Sequence, residues 1–215
     1  MQLQIAIDNA HSSNILDVVE RVADVVDIVE IGTPMVLNEG QKAVRMVKEK
    51  YPGLTVLADT KIVDGGALEC QYAVDAGADI ITVLALSADA TIRDVVETAH
   101  KNGRKAMGDL ICVTDIRTRA KQLMELGVDY IAVHTAFDLR ATGRTPYGDL
   151  KELMEAVPAD MCAAAGGIDR DTVADYAALR PAIIIAGSAL YNAPDMRAAA
   201  LEMKRAMQTA DNDRD

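Results

Sequence analysis

Eight short apolar runs, separated by longer stretches of helical period, constrain this chain more than any other feature. The runs are Leu3–Ile7, Asp27–Ile31, Thr55–Ala58, Ile80–Leu84, Lys105–Asp109, Tyr130–Val133, Met161–Ala165 and Ala182–Ala186. Each reads as a strand buried on both faces, as parallel strands are. Between them lie amphipathic stretches such as Asn14–Val25, Gly40–Tyr51, Ala90–Asn102 and Asp115–Leu126. Strands alternating with helices from end to end point to βαβ units throughout. The expectation is an α/β chain folded as one (β/α)₈ barrel over residues 1–210, with 211–215 as a polar tail.

A chain of 215 residues is one domain's worth and sits at the short end for such a barrel. Its apolar half is mainly Ala, Val, Ile, Leu and Met, with no Trp and one Phe, which suits a layered barrel interior. Ala76-Gly-Ala-Asp79-Ile80 and Leu126-Gly-Val-Asp129-Tyr130 each place Gly where a helix stops and Asp just before a strand. The alternative, an open doubly wound sheet, calls for a Gly-rich phosphate loop after the first strand. Here that strand runs into Asp8-Asn9-Ala10.

A net charge of −11 argues against duplex nucleic acid and anionic membrane as partners, and the scarcity of aromatics argues against single strands. It does not exclude a phosphorylated small molecule, which backbone N–H groups can hold. Cys70, Cys112 and Cys162 have no paired spacing and read as reduced, buried thiols of a cytoplasmic protein. The N-terminus lacks a signal-peptide pattern, and no apolar run approaches the ~20 residues of a membrane span.

In a (β/α)₈ barrel the active site lies at the C-terminal ends of the strands. The first strand ends at Asp8, the second at Glu30, and the third at Asp59 with Lys61 and Asp64 behind it. The fifth ends at Asp109 and the sixth at His134. Carboxylates converging on one mouth repel unless a cation lies among them. Oxygen ligands of this kind suit Mg²⁺, with Glu30 and Asp59 as its expected ligands. Lys61, between two carboxylates, would stay protonated and stabilise charge developing on an enediolate or carbanion.

Each residue also has a plain structural reading. Asp8 could cap the first helix, Asp64 the next, Asp109 could be a loop acid and His134 a satisfied core histidine. A surface ion-pair cluster would give the same letters around Lys61. Glu30 within Val29-Glu30-Ile31 is harder to explain so, because a charge in an apolar strand needs a partner. Gly166-Gly167 and Gly187-Ser188 follow the seventh and eighth strands, where barrels commonly hold phosphate. They could equally be ordinary turn residues. His11, His100 and the Lys48–Lys50 helix face read as solvated.

The run Asp8, Val29-Glu30-Ile31-Gly32-Thr33-Pro34 and Leu57-Ala58-Asp59-Thr60-Lys61-Ile62-Val63-Asp64 resembles the orotidine 5′-monophosphate decarboxylase superfamily. Val83-Leu84, Asp109-Leu110-Ile111, Val133-His134-Thr135, Ala165-Gly166-Gly167-Ile168 and Gly187-Ser188 extend the likeness over nearly the whole chain. Within the superfamily the chain is similar to the 3-hexulose-6-phosphate synthases. That resemblance implies a reversible, Mg²⁺-dependent aldol condensation of formaldehyde with D-ribulose 5-phosphate through a 1,2-enediolate. It implies His134 as base for the C1 proton, Lys61 as stabiliser of the enediolate, and a homodimer in which Asp64 reaches the partner's site. The related 3-keto-L-gulonate 6-phosphate decarboxylases carry Glu after the fifth strand and Arg three residues beyond the histidine, where this chain has Asp109 and Phe137. A non-catalytic phosphosugar-binding barrel is the reading from another class.

Overall fold

All eight apolar runs form strands in the computed structural model, which describes residues 1–212 without the side chains of Arg140, Asp211 and Asn212. They are β1 (Gln2–Ile7), β2 (Ile28–Ile31), β3 (Thr55–Ile62), β4 (Ile80–Leu84), β5 (Lys105–Asp109), β6 (Tyr130–His134), β7 (Cys162–Ala165) and β8 (Ile183–Ala186). They pair in parallel in chain order, and β8 closes onto β1 through pairs such as Leu3–Ile184. Closure leaves no sheet edge to protect. The last helix, Met196–Asn212, runs into the expected polar tail, of which residues 213–215 lie outside the described residues.

Side chains alternate between the two faces of each strand and so build two apolar layers. Ile28, Leu57, Ile80, Met107, Ala132 and Ile183 meet inside the barrel. The intervening residues, among them Ile5, Ile31, Val56, Ile81, Ile131 and Ile184, pack outward with helix residues such as Val44, Ile92, Leu123 and Leu153. Both faces are buried, which is why the strands read as unbroken apolar runs.

The N-terminal end of the barrel is held by a recurring device. Asp27, Asp79 and Asp129 directly precede β2, β4 and β6. Each donates its backbone N–H to the carbonyl of Leu3, Val56 or Ala106 on the preceding strand. Each carboxylate then accepts the N–H of that same residue, at 2.8, 2.9 and 2.8 Å. The Gly-x-Asp pattern seen twice in the sequence thus has a third instance at Asp27, without the glycine. Gly77 and Gly127 hold φ of 94° and 90°, where a side chain would be strained.

Three details differ from expectation. The helix expected over Asn14–Val25 spans Ile15–Glu20, and the residues after it close in tight turns instead. Lys48 is not on a solvated face, since its Nζ donates to Leu54 O at 2.8 Å and to Asp79 Oδ2 at 2.6 Å. Cys112 is exposed, with φ of 63°, whereas Cys70 and Cys162 are buried as expected.

Candidate active site

The two-residue period that builds the barrel interior also carries the polar residues to its mouth. Two positions beyond the inward-facing Ile28, Leu57, Ile80, Met107 and Ala132 stand Glu30, Asp59, Thr82, Asp109 and His134. These five border one cavity of about 520 Å³ over the strand C-termini, floored by the apolar layer below. Asp8, Lys61, Gly166, Gly167, Gly187 and Ser188 line it as well.

Lys61 occupies the centre. Its Nζ donates to Asp59 Oδ1 and Oδ2 at 2.9 and 2.8 Å and to Asp109 Oδ2 at 2.8 Å. Burial alone would lower the lysine pKa, but Asp109 and Asp59 outweigh it and hold the pKa above the ordinary lysine value. The side chain is therefore a fixed cation. Asp109 is 3% exposed, and burial would raise its pKa. The hydrogen bond from His134 and the charge of Lys61 prevail and bring it down to about 2. Asp109 Oδ2 lies 3.1 Å from His134 Nδ1, while Oδ1 accepts the Ile111 N–H at 2.9 Å. An ionised Asp109 assigns the proton to Nδ1 and leaves Nε2 as the basic nitrogen.

Glu30 and Asp59 form the second centre. Glu30 is 8% exposed, and burial, reinforced by the negative charge of Asp59, pushes its pKa well above the ordinary value. Its partner is Gln4, fully buried on β1, whose Nε2 donates to Glu30 Oε2 at 2.5 Å. Asp59 accepts from Thr33 Oγ1 at 2.7 Å and Thr82 Oγ1 at 2.8 Å in addition to Lys61. Asp8 lies at the cavity entrance, its pKa raised by burial and by Asp59. It does not cap the first helix, which starts at Ile15 with Asn14 at its N-cap.

Two buried carboxylates in mutual repulsion, with the Gln4 Oε1 beside them lacking a protein partner, are a donor set that fits a hard divalent cation. Among the described residues no group of three or more His, Cys, Asp or Glu forms a metal cage. A cation here would keep water or substrate oxygens in its remaining positions, which is how Mg²⁺ is usually held.

Gly166 and Gly167 adopt φ of 112° and 81°, and a Cβ on Gly166 would stand 2.6 Å from Thr135 O. They are therefore more than ordinary turn residues: a side chain at Gly166 would collide with the strand-six loop. Gly187 precedes the short helix Ser188–Tyr191, and a Cβ there would meet Ala6 only at ordinary contact distance. Asp64 is brought to none of these groups. It is exposed, outside the cavity of its own chain, and its Oδ1 accepts the Gly65 N–H at 2.8 Å. His11 and His100 are exposed and face Glu39 and Asp129, away from the cavity.

Gln4, Thr33 and Thr82 escaped the sequence reading. Gln4 is a polar residue inside an apolar strand and could have been flagged as Glu30 was. Thr82, within Ile80-Ile81-Thr82-Val83-Leu84, passes for an ordinary β-branched strand former and carries no such signal.

The model of the Orotidine 5′-phosphate decarboxylase / HUMPS family matches residues 1–203. The chain belongs to that family. A 3-hexulose-6-phosphate synthase 3 of Staphylococcus saprophyticus subsp. saprophyticus is 43% identical over 208 residues, covering 97% of this chain and 99% of the relative. The crystal structure of 3-hexulose-6-phosphate synthase from Salmonella typhimurium superposes with a TM-score of 0.94 at 40% identity, covering 98% of this chain and 100% of the other. The 3-keto-L-gulonate-6-phosphate decarboxylase of Vibrio cholerae gives a TM-score of 0.85 at 27% identity, covering 97% of each chain. Family membership and the closed barrel bear out the resemblance read from the sequence.

Proposed function

We propose that the chain catalyses the 3-hexulose-6-phosphate synthase reaction, the reversible aldol condensation of formaldehyde with D-ribulose 5-phosphate, as a carbon–carbon lyase. The observation that carries this reading is Lys61 held between Asp59 and Asp109, with His134 on the same Asp109. That arrangement sets a permanent cation beside an imidazole base, the pair needed to remove a proton next to a carbonyl. His134 Nε2 takes a proton from C1 of the ketose phosphate. The electron pair left behind delocalises onto the carbonyl oxygen as an enediolate, whose charge the Lys61 ammonium stabilises. C1 then attacks the formaldehyde carbon, the new C–C bond forms, and the aldehyde oxygen takes the proton back from the imidazolium. Asp109 keeps the histidine tautomer and orientation through both transfers.

Glu30 and Asp59 are the residues that would hold Mg²⁺, which when bound supplies Lewis-acid stabilisation of the substrate oxygens. The Asp59 carboxylate already accepts from Lys61 and Thr82, and Thr33 can give its one proton either to that carboxylate or to the Asp59 carbonyl. A cation held there would compete with Lys61 for the Asp59 oxygens, while Lys61 keeps its contact with Asp109. Backbone N–H groups around Gly166, Gly167, Gly187 and Ser188 suit the phosphate. The 27% identity to the decarboxylase, against 40% to the synthase, and the apolar Phe137 at the cavity rim favour aldol chemistry.

A homodimer follows from the same reading. Asp64 lies outside its own cavity between the exposed Val63 and the nearby exposed Leu68, a surface suited to a second copy. No helix among the described residues is long and apolar enough to cross a membrane, which suits the cytoplasm. The test is formaldehyde consumption with D-ribulose 5-phosphate and Mg²⁺, against controls lacking each and one with EDTA. Loss that requires both, with a hexulose phosphate product, is the expected result. Binding of the pentose phosphate without turnover would leave only a phosphosugar-binding barrel. Release of CO₂ from 3-keto-L-gulonate 6-phosphate instead would reassign the reaction.

A further inference from the structure

Strand β3 does not run evenly beside β4. Ala58 pairs with Ile81 and Ile62 with Val83, so three residues of β3, Asp59, Thr60 and Lys61, stand opposite Thr82 alone. Such a bulge leaves backbone groups without ladder partners and re-aims the side chains it carries. Thr82 meets both needs. Its carbonyl accepts the Thr60 hydroxyl at 2.8 Å, and its Oγ1 accepts the Lys61 N–H at 2.9 Å. The same hydroxyl gives its one proton to Asp59 Oδ1 at 2.8 Å.

The hydroxyl therefore joins the Lys61 backbone to the Asp59 carboxylate. Lys61 needs the support, because its φ of 45° is a left-handed conformation that side-chain-bearing residues seldom hold unaided. Thr82 is 3% exposed, and its hydroxyl is engaged within the protein on both sides.

We infer that Thr82 is the positioning residue that holds Lys61 and Asp59 in reactive register, its hydroxyl clamping the β3 bulge from β4. In this role it acts through Lys61 and Asp59. The inference rests on the enediolate reading above only for its kinetic consequence. The clamp itself is a statement about geometry.

The experiment compares Thr82→Val, which keeps the shape and removes the hydroxyl, with Thr82→Ser, which keeps the hydroxyl. Exchange of the C1 proton of D-ribulose 5-phosphate in D₂O, without formaldehyde, isolates the step that Lys61 serves. The valine variant should lose kcat for exchange on the order of 10- to 100-fold with little change in KM. The serine variant should recover most of that loss. Crystal structures of both should show Lys61 Nζ displaced from Asp109 in the valine variant and retained in the serine variant. Exchange at the wild-type rate in Thr82→Val, or an equal loss in Thr82→Ser, would overturn the inference. Should the wild type exchange no proton, the reaction reading fails and the structures decide alone. Lys61 still within hydrogen-bond reach, about 3.2 Å, of both aspartates in Thr82→Val would then sink the clamp. If the valine variant does not fold, Thr82→Cys, a weak donor of similar bulk, takes its place with the same outcomes.

Discussion

Aspartates stand beside the strands at both ends of this barrel, and they are held in opposite ways. At the N-terminal end Asp27, Asp79 and Asp129 answer backbone: each carboxylate takes the N–H of the neighbouring strand, with Lys204, Lys48 and Arg104, or His100 beside it. These groups are partly solvated, and their partners are fixed by the sheet. At the C-terminal end Asp59 and Asp109 are nearly buried and answer side chains, chiefly Lys61, Thr82 and His134. One end spends its carboxylates on closing the barrel, the other on holding a cation and a base ready, as expected where barrel chemistry sits at the strand ends.

Substitutions can break this division. The largest effect is expected at Lys61. Lys61→Ala should lower turnover on the order of 10³-fold or more while circular dichroism still reports a folded barrel. An active Lys61→Ala enzyme would place the chemistry elsewhere.

Asp79→Ala should do the reverse. It removes the acceptor of Val56 N–H and of two cations, at a cost of about 2 kcal/mol and roughly 4–8 °C in Tm. Activity per folded molecule should stay at the wild-type level, read by thermal unfolding alongside the exchange assay. Asp129→Ala should act alike but more weakly, since the side chain paired with it, His100, is half exposed.

Acid stability sharpens the contrast further. Asp109 is held near pKa 2, below its ordinary 3.8. A carboxylate whose pKa is depressed by folding stabilises the native state above its unfolded value, and that contribution is lost as pH falls towards 2. Urea midpoints measured between about pH 4 and pH 2 should therefore fall less steeply in Asp109→Asn than in the wild type. An unchanged slope would mean that Lys61 and His134 do not hold Asp109 in its ionised form.

Much of the site was legible before any coordinates. Asp8, Glu30, Asp59, Lys61, Asp109 and His134 all border one cavity, because each lies at or just past the end of an apolar run and a closed parallel barrel brings those ends together. Glu30 announced itself as a charge within an apolar strand, and Gln4 is the partner that reading required. Asp64 was equally visible as a letter, yet it does not border that cavity. Lys48 misled in the other direction, since a charge in a helical stretch looks solvated until the loop and strand end beneath it are known.

What the sequence determined by itself was the alternation of strands and helices, and with it the barrel and the set of residues at its mouth. That information is local: a period of two within a run, a period near 3.6 between runs, and the position of a polar residue relative to a run's end. Only the tertiary structure decided how those residues are joined. The three-against-one bulge between β3 and β4, the left-handed Lys61 and the clamp at Thr82 arise from pairing between segments about twenty residues apart. Hydrogen bonds of that kind depend on which strand lies alongside, and a threonine looks the same in a sequence whether its hydroxyl is idle or holds two reacting side chains in place.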